Sequence, residues 1–187
     1  MRGSILITNT QSDFGKNLAE VFAREGFEVF TPHEFEKITK LDFLADTTDF
    51  RDESDDFKKT FRANVVAPMA TLEKFLPLLD AGETRRIFYV TSAEASINET
   101  RDAENYAYKM SKAALHQFLQ MVRNRLAPEG YTLRIFDPMP GKIDAAVAAE
   151  SAFLYITRRR GTENDDPLRD DEEILIMRDA EGRAHGW

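Results

Sequence analysis

The chain has 187 residues, 42% of them hydrophobic and 31% charged, a length that suits one sizeable core but is short for two full domains. Acidic residues outnumber basic ones by 33 to 25, and the net charge of −8 argues against nucleic acid or an anionic membrane surface as a partner. The absence of cysteine excludes disulfides and thiolate chemistry, and the scattered His33, His116 and His185 form no zinc motif, so we predict no metal site. No apolar run approaches the length of about 18 residues that a membrane span needs, so we expect one cytoplasmic domain over residues 1–187.

Strand-like and helix-like segments alternate along the whole chain. The predicted strands are Ser4–Thr8, Phe27–Phe30, Leu41–Ala45, Arg86–Thr91, Tyr131–Phe136 and Ile174–Met177. The predicted helices are one from Phe14 that ends before Gly26, Phe57–Leu79 with a kink at Pro68, Tyr108–Leu126, and Ala145–Thr157. Such alternation favours an α/β fold, a doubly wound parallel sheet with helices on both faces. The charged segment 158–173 is predicted to be a solvated loop, and 174–187 a C-terminal strand and tail.

One helical segment carries a reactive pair of side chains. In YKMSKAAL, Tyr108 precedes Lys112 by four residues, so both lie on one helix face. A phenol with a pKa near 10 is a poor acid or base at neutral pH, and a neighbouring cation favours its ionised form. The spacing alone leaves a second interpretation open, in which a packed tyrosine happens to precede an exposed lysine.

The surroundings of this pair resemble the short-chain dehydrogenase/reductase family. The segment ANVVAP contains Asn64, a strand ends in Thr91 and Ser92, and Pro140-Gly141 follows the next strand. The C-terminal pattern, AAESAFLYI followed by ILIMRDAEGRAHGW, is similar to the branch that contains C-factor and sniffer-type carbonyl reductases. The resemblance covers nearly the whole chain and implies a Rossmann-like fold.

The resemblance also implies functional roles for four residues. Tyr108 exchanges a proton with a substrate oxygen, Ser92 holds that oxygen, Lys112 lowers the pKa of the phenol and touches a ribose, and Asn64 supports a water relay. A nicotinamide cofactor, NAD(P), moves the hydride, and the loop 94–105 shapes the substrate mouth. The implied cofactor-binding positions are Thr8, Asn9, Asp13, Gly15, Thr47, Pro140 and Gly141.

The sequence departs from the family at the phosphate-binding turn. The family's TGxxxGxG motif is TNTQSDFG here, with Asn9 and Asp13 in place of two glycines and only Gly15 retained. Two like charges about 5 Å apart at an effective dielectric of about 20 repel by roughly 3 kcal/mol, so Asp13 opposes a phosphate. We expect Asn9 to tolerate a left-handed turn, and Ser12 or Asp13 to cap the helix, so that the protein itself occupies the anion site.

Further departures also lie on the cofactor side. Only Thr31–Lys40 stands where the family has a helix, its third strand and another helix, so we predict a sheet shortened by loss of that edge strand. The family's NNAG matches Asp46-Thr47-Thr48-Asp49, and Ala145 replaces a threonine that contacts the nicotinamide. In an alternative alignment, LDFLADTTD is the third strand and the fourth is deleted, but the short distance to Asn64 favours the first version.

Three hypotheses of function follow. The first is a divergent oxidoreductase that acts on a small carbonyl or alcohol by tyrosine acid–base chemistry and binds NAD(P) weakly. The second is a non-catalytic binding or scaffold protein with the same fold. The third is a cofactor-independent tyrosine enzyme, for which halohydrin dehalogenases are a precedent, although they have arginine where Lys112 stands. The resemblance implies a homodimer paired through Phe57–Leu79 and Tyr108–Leu126.

Overall fold

A seven-stranded, mostly parallel sheet with helices on both faces forms the protein. The computed structural model describes residues 2–52, 56–102, 104–158 and 175–186. The strands are β1 (Ser4–Ile7), β2 (Glu28–Phe30), β3 (Phe43–Asp46), β4 (Arg86–Val90), β5 (Thr132–Asp137), β6 (Met177–Asp179) and β7 (Ala184–His185). The helices are α1 (Asp13–Arg24), α2 (Phe57–Phe61), α3 (Ala67–Asp80), α4 (Tyr106–Leu126) and α5 (Ala145–Thr157). Short 3-10 turns cover Pro32–Lys37, Ala93–Ala95 and Ala127–Glu129.

The strand order is β2-β1-β3-β4-β5-β6-β7, and only the β6–β7 pair is antiparallel. Every residue of β1, β3 and β4 is buried, because helices cover both faces of a parallel sheet and leave no polar side. The predicted α/β Rossmann-like architecture is confirmed.

Two apolar cores lie on opposite faces of this sheet. On one face, α3 and α4 pack Leu72, Phe75 and Leu119 against the strands. On the other face, α1 and α5 meet through edge-to-face rings, with the centroids of Phe22 and Phe153 4.9 Å apart. This arrangement holds α4 and the loops after β3 and β4 in fixed relative positions.

The long helix predicted over Phe57–Leu79 is interrupted. One π-helical turn, Arg62–Val66, separates α2 from α3. Proline has no N–H, so Pro68 cannot form the helical hydrogen bond to the carbonyl of Asn64, which explains a break just before it. The predicted irregularity is therefore present, and it places Asn64 inside the π turn.

The C-terminal region differs from the sequence prediction. The predicted strand Ile174–Met177 is found as β6 (Met177–Asp179), followed by β7 in a short hairpin. Apart from Arg158, the predicted charged loop 158–173 lies outside the described residues. In the part of the chain that is described, no helix has the length and apolar character to cross a membrane.

Candidate active site

The four predicted catalytic residues come together at the carboxyl ends of β3 and β4. Tyr108 and Lys112 lie one turn apart on α4, and Ser92 lies just after β4. The Asn64 amide donates to the Ser111 hydroxyl at 3.0 Å, and that hydroxyl donates to the Tyr108 carbonyl at 2.7 Å. The fold thus assembles the set that the sequence predicted.

The carboxylate of Asp49 joins Tyr108 to Lys112. The Tyr108 hydroxyl donates to Asp49 Oδ1 at 2.7 Å, and Lys112 Nζ lies 3.0 Å from the same oxygen. Lys112 is fully buried and also donates to the carbonyls of Thr48 at 3.0 Å and Val90 at 3.4 Å. A single internal oxygen therefore receives both groups that were expected to face a ribose and a substrate.

The electrostatics of Tyr108 differ from the sequence expectation that Lys112 lowers its pKa. Burial and the neighbouring Asp49 carboxylate raise the pKa of the phenol well above its usual value. A hydrogen bond with Ser92 and the charge of Arg51 act in the opposite direction but do not prevail. The phenol therefore stays protonated and donates a hydrogen bond in this arrangement, because Asp49 pairs with Lys112 and accepts the phenolic hydrogen.

Arg51 is a third charged group at the site, after Asp49 and Lys112. Its guanidinium lies 3.9 Å from the centroid of the Tyr108 ring, in a cation–π contact. The same guanidinium holds Glu94 with two hydrogen bonds, of 2.6 and 3.4 Å. Tyr108 therefore has a carboxylate at its oxygen and a cation on its face.

Asn64 holds the segment that carries Asp49 and Arg51. Its amide donates to the carbonyl of Phe50 at 2.7 Å, and its Oδ1 accepts from the Phe50 N–H at 2.9 Å. The side chain of Asn64 is fully buried and used in these contacts. It fixes the backbone between the two charged residues, and the predicted water relay stays a prediction.

A cavity of about 630 Å³ occupies the predicted cofactor side. It extends between the start of α1 and the start of α5, and Asp49 lies in its wall. Four of the predicted cofactor-binding residues line it: Asp13, Thr47, Pro140 and Gly141. Among the residues that the structure describes, its lining contains three carboxylates, those of Asp13, Asp49 and Asp144, and no lysine or arginine. An anionic ligand therefore meets an unfavourable charge distribution here.

The other predicted cofactor residues lie behind the cavity wall. Thr47 N–H donates to the Thr8 hydroxyl, and Asn9 N–H donates to the Thr47 hydroxyl, both at 3.1 Å. Asn9 does not adopt a left-handed conformation, contrary to the expectation for this turn. These polar groups satisfy one another and join the ends of β1 and β3.

The start of α1 is capped by the protein itself. The Ser12 hydroxyl accepts from the Gly15 N–H at 3.1 Å, so Ser12 and not Asp13 is the cap. A Cβ atom at Gly15 would collide with the carbonyl oxygen of Asn9, which explains why a glycine is needed there. Asp13 remains at the mouth of the cavity.

A second cavity, of about 520 Å³, opens on the other side of Ser92. Most of its lining side chains are charged: Arg51, Glu94, Glu99, Asp137, Lys142, Asp179, Arg183 and His185. The Asp137 carboxylate accepts from the N–H groups of Ala93 and Met139 at 2.8 and 2.7 Å, and burial raises its pKa. The sequence analysis predicted a substrate mouth formed by the loop 94–105, and Glu94 and Glu99 of that loop line this cavity.

Sequence reasoning missed several of these groups. From the sequence, Asp49 is identified only as part of Asp46-Thr47-Thr48-Asp49, the segment that matches the family's NNAG. Neither Arg51 nor the β6–β7 hairpin carries a predicted function. An acidic residue just after a buried strand of a parallel sheet is a usable signal, because strand ends converge at one edge. Arg51 follows Asp49 by only two residues and carries no such signal.

Comparisons with known proteins agree with this fold. The family model for short chain dehydrogenases matches residues 36–152. C-signal of Myxococcus xanthus is 36% identical over 83 residues, 44% of this chain and 50% of C-signal. An uncharacterized oxidoreductase of Saccharomyces cerevisiae is 37% identical over 78 residues, 42% of this chain and 30% of that protein. The matches thus span half or less of these curated relatives.

Solved structures resemble the whole chain. The carbonyl reductase Sniffer of D. melanogaster has a TM-score of 0.77 at 16% identity, with 99% of both chains covered. A carbonyl reductase from Pseudomonas aeruginosa PAO1 in complex with NADP has a TM-score of 0.75 at 15% identity, covering 99% of this chain and 100% of that one. At such identities the likeness concerns the fold. Together with the family match over more than half of its residues, these findings establish that the chain belongs to the short-chain dehydrogenase family.

Proposed function

We propose that the protein is an oxidoreductase of the short-chain type that acts on a small carbonyl or alcohol compound. In this proposal Tyr108 exchanges the proton, and NAD(P) binding is weaker than a complete phosphate-binding turn would allow. The observation that carries the proposal is the convergence of Tyr108 and Lys112 on one oxygen, that of Asp49.

That oxygen stands where a hydroxyl group of a bound ligand would be received. A phenol and an ammonium directed at one point form a site for a polyol oxygen, so the pair fits the ribose end of a dinucleotide. Thr47, Pro140 and Gly141 line the adjoining cavity and would hold the remainder. When bound, a nicotinamide group supplies or accepts the hydride.

The chain's own residues would handle the substrate oxygen. Ser92 lines the cavity of about 520 Å³, and its hydroxyl is close enough to Tyr108 to lower the pKa of the phenol, so in this proposal both hydroxyls contact one carbonyl oxygen. With Asp49 in place the raised pKa makes Tyr108 a weak acid, and displacement of that carboxylate by a bound ligand removes one cause of the shift, so that the phenol can then donate its proton to a developing alkoxide. Asn64 and Lys112 position this pair through Phe50 and Asp49.

Weak cofactor binding follows from two carboxylates. Asp49 has to leave Lys112 before a ribose can take its place, and Asp13 lies at the mouth of the cavity near the expected phosphate position. The edge position of β2 and the short Thr31–Lys40 connection support the inference that the adenosine side is shortened by one strand relative to the family. The position of β3 between β1 and β4 supports the alignment in which the third strand is the missing one.

Titration with NADH and NADPH tests the proposal. We expect weak binding by the native protein, and binding tighter by about tenfold or more in Asp49→Asn and Asp49→Gly, because the competing carboxylate is gone. Asp102→Gly, a change in an exposed residue of the mouth loop, is the matched control and should leave the affinity unchanged.

The same variants separate the competing hypotheses. If neither the native protein nor either Asp49 variant binds millimolar dinucleotide, hydride transfer is excluded and the non-catalytic or cofactor-independent hypotheses remain. If binding occurs, reduction of small carbonyl compounds should be lost in Tyr108→Phe while dinucleotide affinity is retained within a few fold.

We further propose a homodimer through α3 and α4. Three large side chains on α4 are about half exposed within the described part of the chain, those of Tyr106, Met110 and Met121, and they offer apolar area to a second copy. Light scattering at micromolar protein should give the mass of two chains, and Met110→Glu together with Met121→Glu should give one.

A further inference from the structure

We propose that Arg51 binds a carboxylate of the substrate, and that the substrate is therefore a 2-oxo acid or the corresponding 2-hydroxy acid. This inference rests on the proposed function, since it assigns the substrate class of the same site. The cavity of about 520 Å³ beside Ser92 is the binding space, and Arg51 is its link to Tyr108.

The guanidinium of Arg51 already holds a carboxylate with two hydrogen bonds. Its two terminal nitrogens lie 2.6 and 3.4 Å from the two oxygens of Glu94, the two-pronged geometry in which arginine recognises carboxylates. Glu94 lines the same cavity, so its carboxylate marks a position that a ligand's carboxylate can take.

The internal pair is weak enough to be replaced. The side chains of Arg51 and Glu94 are 39% and 40% exposed, and exposed pairs contribute about 0–1 kcal/mol to stability. Exchange of Glu94 for a substrate carboxylate keeps the guanidinium paired, and Glu94 can return to water. The exchange is therefore nearly neutral for the protein, and the substrate's other contacts decide the affinity.

Most of the other charged side chains that line this cavity already have partners within the chain. Asp179 pairs with Arg183 at 2.7 Å and with His185 at 2.9 Å, and His185 also faces Glu99 at 3.3 Å. Asp137 is held by two backbone N–H groups. Lys142 forms no ion pair with any residue in the described ranges, but the described lining carries four carboxylates against three cations and one histidine, so recognition of a carboxylate rests on Arg51 itself and not on the overall charge of the cavity.

The position of Arg51 determines how far the substrate's carboxylate must lie from its reacting carbonyl group. Its guanidinium lies 3.9 Å from the Tyr108 ring centroid, and Arg51 lines the same cavity as Ser92. In a 2-oxo acid the carboxylate is bonded directly to the carbonyl carbon. A carboxylate bound to Arg51 therefore keeps the adjacent carbonyl group in the part of the cavity that Ser92 and the neighbourhood of Tyr108 share.

Calorimetric titration with pyruvate and with methyl pyruvate, its uncharged ester, tests this inference without dinucleotide and without turnover. We expect the native protein to prefer pyruvate by about tenfold or more. Arg51→Met should remove that preference, and Glu94→Gln should increase affinity for pyruvate because the internal competitor is weaker. Arg2→Met, which changes an exposed arginine of the chain that pairs with Glu25, is the matched control.

Three results would overturn the inference: no binding of pyruvate at millimolar concentration, equal binding of acid and ester, or a preference that survives in Arg51→Met. None of them bears on the dinucleotide titration of the Asp49 variants. A failure of the substrate assignment is thus distinguishable from a failure of the proposed oxidoreductase function.

Discussion

Two carboxylate–cation pairs flank Tyr108, and their surroundings give them opposite properties. Asp49 and Lys112 lie on the cofactor side, and the lysine is entirely buried. Glu94 and Arg51 lie on the substrate side, and both side chains are well exposed. The distances between the charged atoms are similar, 3.0 and 2.6 Å, so burial and not geometry distinguishes them.

This difference decides what a ligand has to displace. Removing one partner of a buried pair leaves an uncompensated charge and costs about 3–5 kcal/mol, whereas an exposed pair is worth about 0–1 kcal/mol. A ligand that replaces Asp49 must supply an equally good partner for Lys112. A ligand that replaces Glu94 displaces a carboxylate whose pairing with Arg51 contributes little free energy. The burial of the two pairs therefore makes Glu94 easier for a ligand to displace than Asp49.

The largest expected effect is on stability. Lys112→Met should lower the free energy of unfolding by about 4 kcal/mol, because it deprives Asp49 and two backbone carbonyls of their cation. Arg51→Met and Glu94→Gln should each lower it by less than about 1 kcal/mol. Urea unfolding followed by circular dichroism measures all three, and equal losses would contradict the comparison.

A second prediction concerns His116, which is buried on α4 one helical turn after Lys112. Burial, and to a smaller extent the charge of Lys112, lower the pKa of His116 from 6.5 to about 4. Between pH 6.5 and about 4 the unfolded chain binds a proton that the folded chain excludes. The free energy of unfolding should therefore decrease as the pH is lowered through this range. The total loss is about 3 kcal/mol, and no effect of this group is expected above pH 6.5.

Urea unfolding at pH 7.5 and 4.5 tests this prediction. The decrease in the free energy of unfolding between pH 7.5 and 4.5 should be smaller in His116→Gln, whose side chain is polar but does not titrate. His33→Gln, a change at an exposed histidine, should retain the full loss. An unchanged pH dependence in His116→Gln would show that this histidine is not the group responsible.

A third prediction sharpens the account of the cofactor side. Asp13→Gly should increase dinucleotide affinity by about tenfold, less than the full repulsion of roughly 3 kcal/mol because Asp13 is exposed and solvent screens its charge, while Ser12 still caps α1. Fluorescence titration with NADPH measures the change. Unchanged or weaker binding would refute repulsion by Asp13.

The smallest expected effect concerns His185 on the exposed substrate side. Burial opposes its protonation, but hydrogen bonds with Asp179 and Glu99 prevail and raise its pKa. Its contribution to stability is therefore complete at pH values below 6.5 and is lost as the pH rises through the raised value. His185→Gln should be slightly less stable than the native protein at pH 5.5 and equally stable at pH 9.

Much of the fold could be predicted because its signals are local. The buried strands read as short apolar runs, and α5 was predicted with its observed bounds, Ala145–Thr157. The break at the π turn follows from Pro68, whose missing N–H is a local property. The C-terminal strand was placed too early, because an apolar run does not show which of its residues pair with β5.

The candidate site was predictable only in part. The spacing of Tyr108 and Lys112 on a helix requires them to share a face, so their proximity follows from the sequence. The contact of Asp49 with both does not, because it joins residues 59 and more positions apart through the packing of α4 on the sheet. Sequence reasoning consequently expected a lowered pKa for Tyr108, where the assembled site raises it.

The sequence by itself determined the alternation of strands and helices up to α5, the shared helix face of Tyr108 and Lys112, and the replacement of two glycines by Asn9 and Asp13 at the turn before α1. Those features depend on residue type and on spacing within single elements. Only the tertiary structure decided which carboxylate each cation binds and how deeply each pair is buried. Charge pairing and desolvation depend on distances between elements, and these exist only once the sheet has brought the ends of β3, β4 and α4 together.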